Sequence, residues 1–172
     1  AGLQTIDVTH FSDATNVIMS ILMFIGSSPS SVGGGIRTTT FAILILFVIN
    51  FNNNTEKSSI KVFNREIHII DIQRSFAVFI MATVLTFVSI IIILAAEANN
   101  LSFLQVFFEV MSAFGTCGLS LGVTDNISSI TKVVLMLLMF IGRVGLISFI
   151  IMISGRKEPD KFSYPKERIQ IG

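Results

Sequence analysis

Residues 102–124 read SFLQVFFEVMSAFGTCGLSLGVT, an apolar run that opens on a serine and closes on a glycine turn. Ser102 and Gln105 stand three apart, the spacing of a capping box, and a helix is predicted over residues 103–114. At about 1.5 Å per residue it reaches roughly 18 Å, well short of a hydrocarbon core of about 30 Å. Such a helix enters a membrane and turns back, as a re-entrant pore loop does. The turn, residues 115–120 (Gly-Thr-Cys-Gly-Leu-Ser), holds two glycines, whose tolerance of positive φ lets successive carbonyls face one side. Carbonyls so placed replace the hydration shell of a cation.

The surrounding chain suits lipid. Of its 172 residues 52% are hydrophobic and 13% charged, with mean hydropathy +0.79, whereas soluble domains average about 25% charged. Residues 76–95 and 133–153 are each long enough to span a bilayer, and residues 17–49 form a third apolar region with a polar interruption. A single cysteine excludes an internal disulfide and offers no metal-site spacing. The basic residues fix an orientation. Lys57, Lys61, Arg65 and Arg74 lie in the loop 51–75, and Arg156, Lys157, Lys161, Lys166 and Arg168 in the tail 155–172. By the positive-inside rule both segments are cytoplasmic. The parity between them closes only if the loop at 102–124 does not cross.

The chain also repeats itself. Residues 1–5 resemble residues 117–121, aligning Gly2 with Gly118 at an offset of 116, and Leu-Met-Phe-Ile-Gly at 22–26 returns at 138–142 with the same offset. Internal repeats are common in transport folds. The expected architecture is an all-α, polytopic membrane protein built from helix, re-entrant pore loop, helix units. Residues 76–154 supply one complete unit, with outer helix, pore helix 103–114, filter 115–120 and inner helix 133–153. Residues 1–50 supply the back half of another, so the chain is expected to be part of a longer polypeptide.

In that half unit the inner helix breaks. Residues 27–35, Ser-Ser-Pro-Ser-Ser-Val-Gly-Gly-Gly, interrupt it about three turns in, and the helix resumes over 41–49. Non-helical backbone at membrane depth is tolerated only inside protein or beside a wet cavity, which makes this break a binding loop or gate. No Lys-Ser or Lys-Thr closes the glycine run, so it is not a Walker loop. Arg143, near the middle of 133–153, is expected to face a cavity, carbonyls or an acid such as Glu109, since a central arginine costs about 2.5–3.5 kcal/mol to insert. Arg37 reads as capping the lower end of the cavity or snorkelling, and Lys132 as snorkelling.

Three functions compete on these residues. Cation conduction uses the filter carbonyls. A membrane serine hydrolase needs a base near its serine, and the two histidines, His10 and His68, fall on opposite sides of the membrane. An anion pore using Arg143 fits the charge but not the carbonyl-lined turns.

Gly118 within Thr-Cys-Gly-Leu-Ser, residues 26–40 (Gly-Ser-Ser-Pro-Ser-Ser-Val-Gly-Gly-Gly-Ile-Arg-Thr-Thr-Thr) and Phe-Ile-Gly-Arg-Val-Gly at 140–145 together resemble the Trk/Ktr/HKT potassium transporter superfamily, most of all its bacterial Ktr membrane subunits. The resemblance covers essentially the whole chain. It implies four repeats around one pore, with this chain matching the end of the third and all of the fourth. It implies a selectivity filter formed by Gly2 and Leu3 with Thr116, Cys117, Gly118 and Leu119, whose carbonyls ligate K+. It implies an intramembrane gate carried by Ser27, Ser28, Pro29, Gly33, Gly34 and Gly35, with Arg143 below the filter beside it. It further implies a multi-pass protein of the cell membrane, a homodimer on a cytosolic nucleotide-binding ring. Transport is of potassium, passive or coupled to sodium, without enzymatic activity, organic cofactor or nucleic acid. Cys117 stands where valine is frequent, and Ser30 where glycine is frequent.

Overall fold

Ser102 does cap a helix: its hydroxyl accepts from the Gln105 amide (3.4 Å) and the Gln105 side chain accepts in return from the Ser102 amide (3.0 Å). The computed structural model describes residues 2–5, 7–50, 61–62, 65–97, 101–123 and 127–146. Among these, five helices carry nearly all the regular structure: α1 (Asp13–Ile25), α2 (Thr38–Asn50), α3 (Ile69–Ala96), α4 (Phe103–Gly115) and α5 (Ser129–Val144). The all-α expectation is qualified only by a two-residue antiparallel ribbon, β1 (Lys61–Val62) with β2 (Arg65–Glu66). The tail 155–172, residues 147–153 of the predicted inner helix and residues 51–60 of the predicted loop lie outside the described residues.

The 13-residue helix α4 is the centre of the molecule. Val106, Phe108 and residues 110–115 of α4 are buried, with Phe108 and Phe114 fully so. α1, α3 and α5 pack around it. Phe24 of α1 sets its ring 5.6 Å from that of Phe114 and 6.4 Å from that of Phe79 on α3, so three helices meet at one aromatic cluster. α4 stops because Thr116 turns left-handed (φ 51°), and the last carbonyls are taken by the Thr116 amide, to Ala113, and the Cys117 amide, to Ser112.

α3 is large and apolar outward and mixed inward, where Ile72, Val78, Ile90 and Ile93 are buried beside small and polar residues. Ser75, Ala82, Thr86 and Ser89 are buried, while Ile80, Val84, Phe87 and Ile91 stand exposed. Ser75, Thr86 and Ser89 donate to carbonyls four residues back in their own helix, so their burial strands no polar group. Small residues facing the bundle and large aliphatic ones facing out are the pattern of helix packing in lipid. α3 is the one described helix long and apolar enough to cross a membrane. It begins at Ile69, two turns before the predicted 76, so the end of the stretch 51–75 is helical. α1 and α2, 13 residues each, are the two short halves expected from the break in 17–49.

The repeat is visible in three dimensions. Ser12 and Ser128, 116 apart, cap α1 and α5 by accepting from Thr15 and Thr131, also 116 apart. α5 therefore starts at Ser129, one turn before the predicted 133. A second tie holds the start of α5. Glu97, at the end of α3, accepts from the Ser128 amide (2.6 Å) and the Thr131 hydroxyl (2.9 Å), fastening one helix end to the next helix start. The Ser128 amide, with help from the Ser128 and Thr131 side chains, holds the Glu97 carboxyl below the usual carboxylate range.

A lowered folded value makes this tie acid-labile. Its contribution is complete above the ordinary value of about 4.5 and is lost as pH falls through the folded value. Glu97→Gln keeps an acceptor oxygen without the titration. Thermal unfolding of the intact protein in detergent, followed from about pH 6 to about pH 3, is expected to show a smaller acid-induced drop in Tm for the variant than for the parent.

Candidate functional site

Residues 26–37 form a loop whose two feet are laced together. Gly26 (φ 75°) ends α1, which leaves the last carbonyls of that helix without intrahelical donors. The returning strand supplies them: Ile36 donates to Phe24 (3.2 Å) and Arg37 to Ile25 (2.9 Å). Ser27 donates to Gly34 and Thr38 to Ser27, both at 3.2 Å. A Cβ on Gly26 would lie 2.1 Å from the Gly34 carbonyl, so the two feet meet at a distance only glycine allows. Above them the tip, residues 28–32, is exposed. The Arg37 guanidinium donates to the Pro29 carbonyl and ties the tip down, with Arg37 itself at φ 79°. Arg37 thus braces the loop from within rather than capping a cavity or snorkelling.

The laced loop docks on the end of α4. The Gly34 amide donates to the Thr116 hydroxyl (2.9 Å) and to the Gly115 carbonyl (3.2 Å). A Cβ on Gly34 would come 2.8 Å from the Phe114 carbonyl and 3.0 Å from that of Gly142. Gly115 approaches the Met23 backbone, and Gly142 the Phe114 backbone, as closely.

Beyond Thr116 the two filter turns predicted from the repeat come together. The Gly2 amide donates to the Cys117 carbonyl (2.7 Å), and a Cβ on Gly2 would stand 2.5 Å from the Gly118 carbonyl. Gly2 (φ 68°) and Gly118 (φ 78°) share a left-handed conformation. Successive carbonyls do not all face one side: those of Cys117 and Leu119 take protein donors, the latter from the Ser112 hydroxyl (2.6 Å). The Leu3 side chain is 92% exposed. Cys117 packs at the edge of a cluster with Met23 and Phe108, as a small apolar residue in the turn would.

Both loops line one open cavity of about 410 Å³, with Ser27 and Gly33 from one and Gly115, Thr116, Cys117 and Leu119 from the other. Ser28 and Pro29 sit on the exposed tip, and Gly35 (φ 93°) in the returning foot against Gly26. Arg143 follows Gly142, whose carbonyl touches Gly34, yet its own side chain is exposed and is not among the residues lining the cavity. Nor is Glu109 its partner, because that carboxylate faces Ser120 and Leu121. Sequence reasoning missed the Thr116 hydroxyl as an anchor for Gly34. It also assigned Glu109 only to arginine, although an ionisable residue on a buried apolar helix is itself a signal.

Comparison with known proteins finds a matching family and several relatives. The profile of the family described as TrkH, cation transport protein, matches residues 1–164. Ktr system potassium uptake protein D of Bacillus subtilis is 49% identical over 172 residues, covering 99% of this chain and 37% of that protein. Ktr system potassium uptake protein B of Vibrio alginolyticus is 32% identical over 173 residues, covering all of this chain and 37% of the relative. Potassium/sodium uptake protein NtpJ of Enterococcus hirae is also 32% identical, over 177 residues and 39% of its length. The chain spans little more than a third of these relatives.

Thr116→Val keeps shape and branching but removes the acceptor facing Gly34. A net hydrogen bond is worth about 0.5–1.5 kcal/mol, so amide exchange in peptides covering residues 28–37 is expected to quicken about two- to tenfold by mass spectrometry. Unchanged exchange would show that the Gly115 carbonyl alone holds the loop.

Proposed function

The chain belongs to the TrkH family of cation transport proteins, and from that premise we propose that it is part of the potassium-conducting subunit of a membrane uptake system. It is a membrane transport protein and not an enzyme. The single observation carrying the finer proposal is the meeting of Gly2 and Gly118: repeat-related glycines with the same left-handed φ and touching backbones. Two turns so related make half of a four-part coordination shell. In this proposal the turn at Gly2 and Leu3 and the turn at Thr116, Cys117, Gly118 and Leu119 are filter segments, each placed after a re-entrant pore helix. K+ exchanges hydration water for their carbonyls, favoured by the negative end of α4. The carbonyls of Cys117 and Leu119 already take protein donors, so Thr116 and Gly118 are the better ligands of the four.

Residues 27–35 act as the gate below this filter. Support comes from their shared cavity with the filter turn and from the contrast between laced feet and exposed tip. Arg143 flanks the gate through Gly142 and adds positive charge there. Loop 51–75 and the tail 155–172 lie on the cytoplasmic side. The remaining repeats of the polypeptide complete the pore, and a second copy and a cytosolic nucleotide-binding ring complete the assembly. A sodium role is favoured by one relative's name, potassium/sodium uptake protein, and belongs to the same pore.

Gly118→Ser in the full-length protein forces a side chain onto a left-handed backbone, a strain of about 1–2 kcal/mol that shifts the carbonyl. Competition uptake of rubidium against sodium is expected to lose potassium-like selectivity, and an unchanged preference would remove Gly118 from the filter. Replacing the tip, residues 28–32, by two glycines spares the laced feet. Rubidium flux in proteoliposomes is expected to rise, and an unaltered rate would refute the gate.

A further inference from the structure

Gly118 has no side chain with which to hold its own carbonyl in place, so its position depends on the arm that leaves it, residues 119–122. That arm is gripped from one face of α4. Ser112 donates its hydroxyl to the Leu119 carbonyl (2.6 Å). One turn earlier, at the i−3 position of the same face, Glu109 presents Oε1 to two donors: the Leu121 amide (3.0 Å) and the Ser120 hydroxyl (2.5 Å). The Ser120 oxygen in turn accepts from the Gly122 amide (3.1 Å). Acceptor and donor on α4 therefore match donor and acceptor on the arm, over three consecutive residues, 119–121. Glu109 is the only ionisable side chain on α4. Its cost in an otherwise apolar helix is offset by this pair of bonds, and they are made to the arm rather than to a basic residue.

We propose that Glu109 is a positioning residue for selectivity: a carboxylate behind the filter that clamps residues 120 and 121 and thereby fixes the Gly118 carbonyl at the spacing a potassium ion needs. The clamp works through hydrogen-bond geometry, not through attraction of the permeating ion, because Oε1 is directed at the arm and not at the cavity lined by Thr116 and Cys117. Loosening it lets the carbonyl adjust to a smaller ion. The inference rests on the assignment of Gly118 to the filter.

The two mechanisms separate on substitution. Glu109→Gln keeps a carbonyl oxygen for both donors and removes the charge, whereas Glu109→Ala removes both. Ser120→Ala removes one donor to Glu109 together with the acceptor of the Gly122 amide and leaves the helix untouched, so it reports on the clamp even where Glu109→Ala fails to fold. Each variant is made in the full-length protein, reconstituted in vesicles of defined lipid and normalised to protein amount, with Gly118→Ser alongside. The rubidium-over-sodium selectivity ratio and the KM and Vmax for rubidium are measured. Expected is a selectivity loss of about fivefold or more for Glu109→Ala, a smaller one for Ser120→Ala that does not add to it, and a ratio within about twofold of the parent for Glu109→Gln. Loss of selectivity in Glu109→Gln equal to that in Glu109→Ala, or parent selectivity in Ser120→Ala with only Vmax reduced, overturns the clamp. If Gly118→Ser shifts the ratio and neither Glu109→Ala nor Ser120→Ala does, the clamp fails and the filter stands. If Gly118→Ser leaves it unmoved as well, the filter assignment fails with it.

Discussion

Three stretches of backbone come into direct contact at the carboxyl end of α4, and no Cβ fits between them. Gly34 of the loop, Gly115 of α4 and Gly142 of α5 each bring their Cα against a neighbouring carbonyl, those of Phe114, Met23 and Phe114 again. Such approach needs glycine on one side of every contact, and small residues at helix crossings are what permit it in membranes, where apolar burial alone gives little drive to associate. Once these contacts are made, a 13-residue helix that could not span a bilayer is enclosed on its flanks by α1, α3 and α5. Its end is then the fixed point to which both loops are referred.

Non-helical backbone in such a place needs every polar group satisfied from within. The loop at 26–37 meets most of this need by serving as the cap of the helix it interrupts, with the Ile36 and Arg37 amides filling the Phe24 and Ile25 carbonyls, while the Ser27 hydroxyl is buried with no hydrogen-bond partner among the described residues. The turn after α4 achieves it with side chains, from Ser112 and Glu109. Strain collects where these solutions meet. Among the described residues the only non-glycines with positive φ are Arg37 and Thr116, one in each loop, and each makes a contact that holds its loop in shape. A β-branched threonine in the left-handed region is uncommon, and it persists because its hydroxyl receives the Gly34 amide.

Much of this was legible in the sequence. The capping box at Ser102 and Gln105, the short helix after it, the break at 27–35 and the 116-residue repeat all come from local chemistry and pattern, and the helix starts at Ser12 and Ser128 obey the repeat to the residue. What the sequence hid is tertiary. Gly34 meeting Thr116 joins residues 82 apart, and no local rule pairs them. The start of α3 at Ile69 was missed because Asp71, Gln73 and Arg74 dilute the apolar run. A carboxylate in the first turn suits a helix start all the same. The engagement of alternate carbonyls in the turn after α4 depends on Ser112 and Gly2, which lie on other segments.

Gly26 and Gly142 show how one repeat yields two backbone shapes. Both end the same pentapeptide, Leu-Met-Phe-Ile-Gly, yet Gly26 takes φ 75° and breaks its helix while α5 continues through Gly142 to Val144. The difference lies in the residues on the carboxyl side of each glycine. After Gly26 come Ser27, Ser28 and Pro29, and a proline at 29 would press its ring on the carbonyl of residue 25 if the helix ran on. After Gly142 come Arg143 and Val144, which tolerate another turn until Gly145 (φ 88°). Because one copy breaks and the other does not, Gly142 offers the continuous backbone against which the loop of the broken copy is seated. A symmetric pair would have neither the loop nor the wall that holds its feet. The proline three residues past Gly26 is thus what turns a duplicated helix into a loop and its support, and it leaves the exposed tip of that loop, residues 28–32, clear of the close glycine contacts made by its feet.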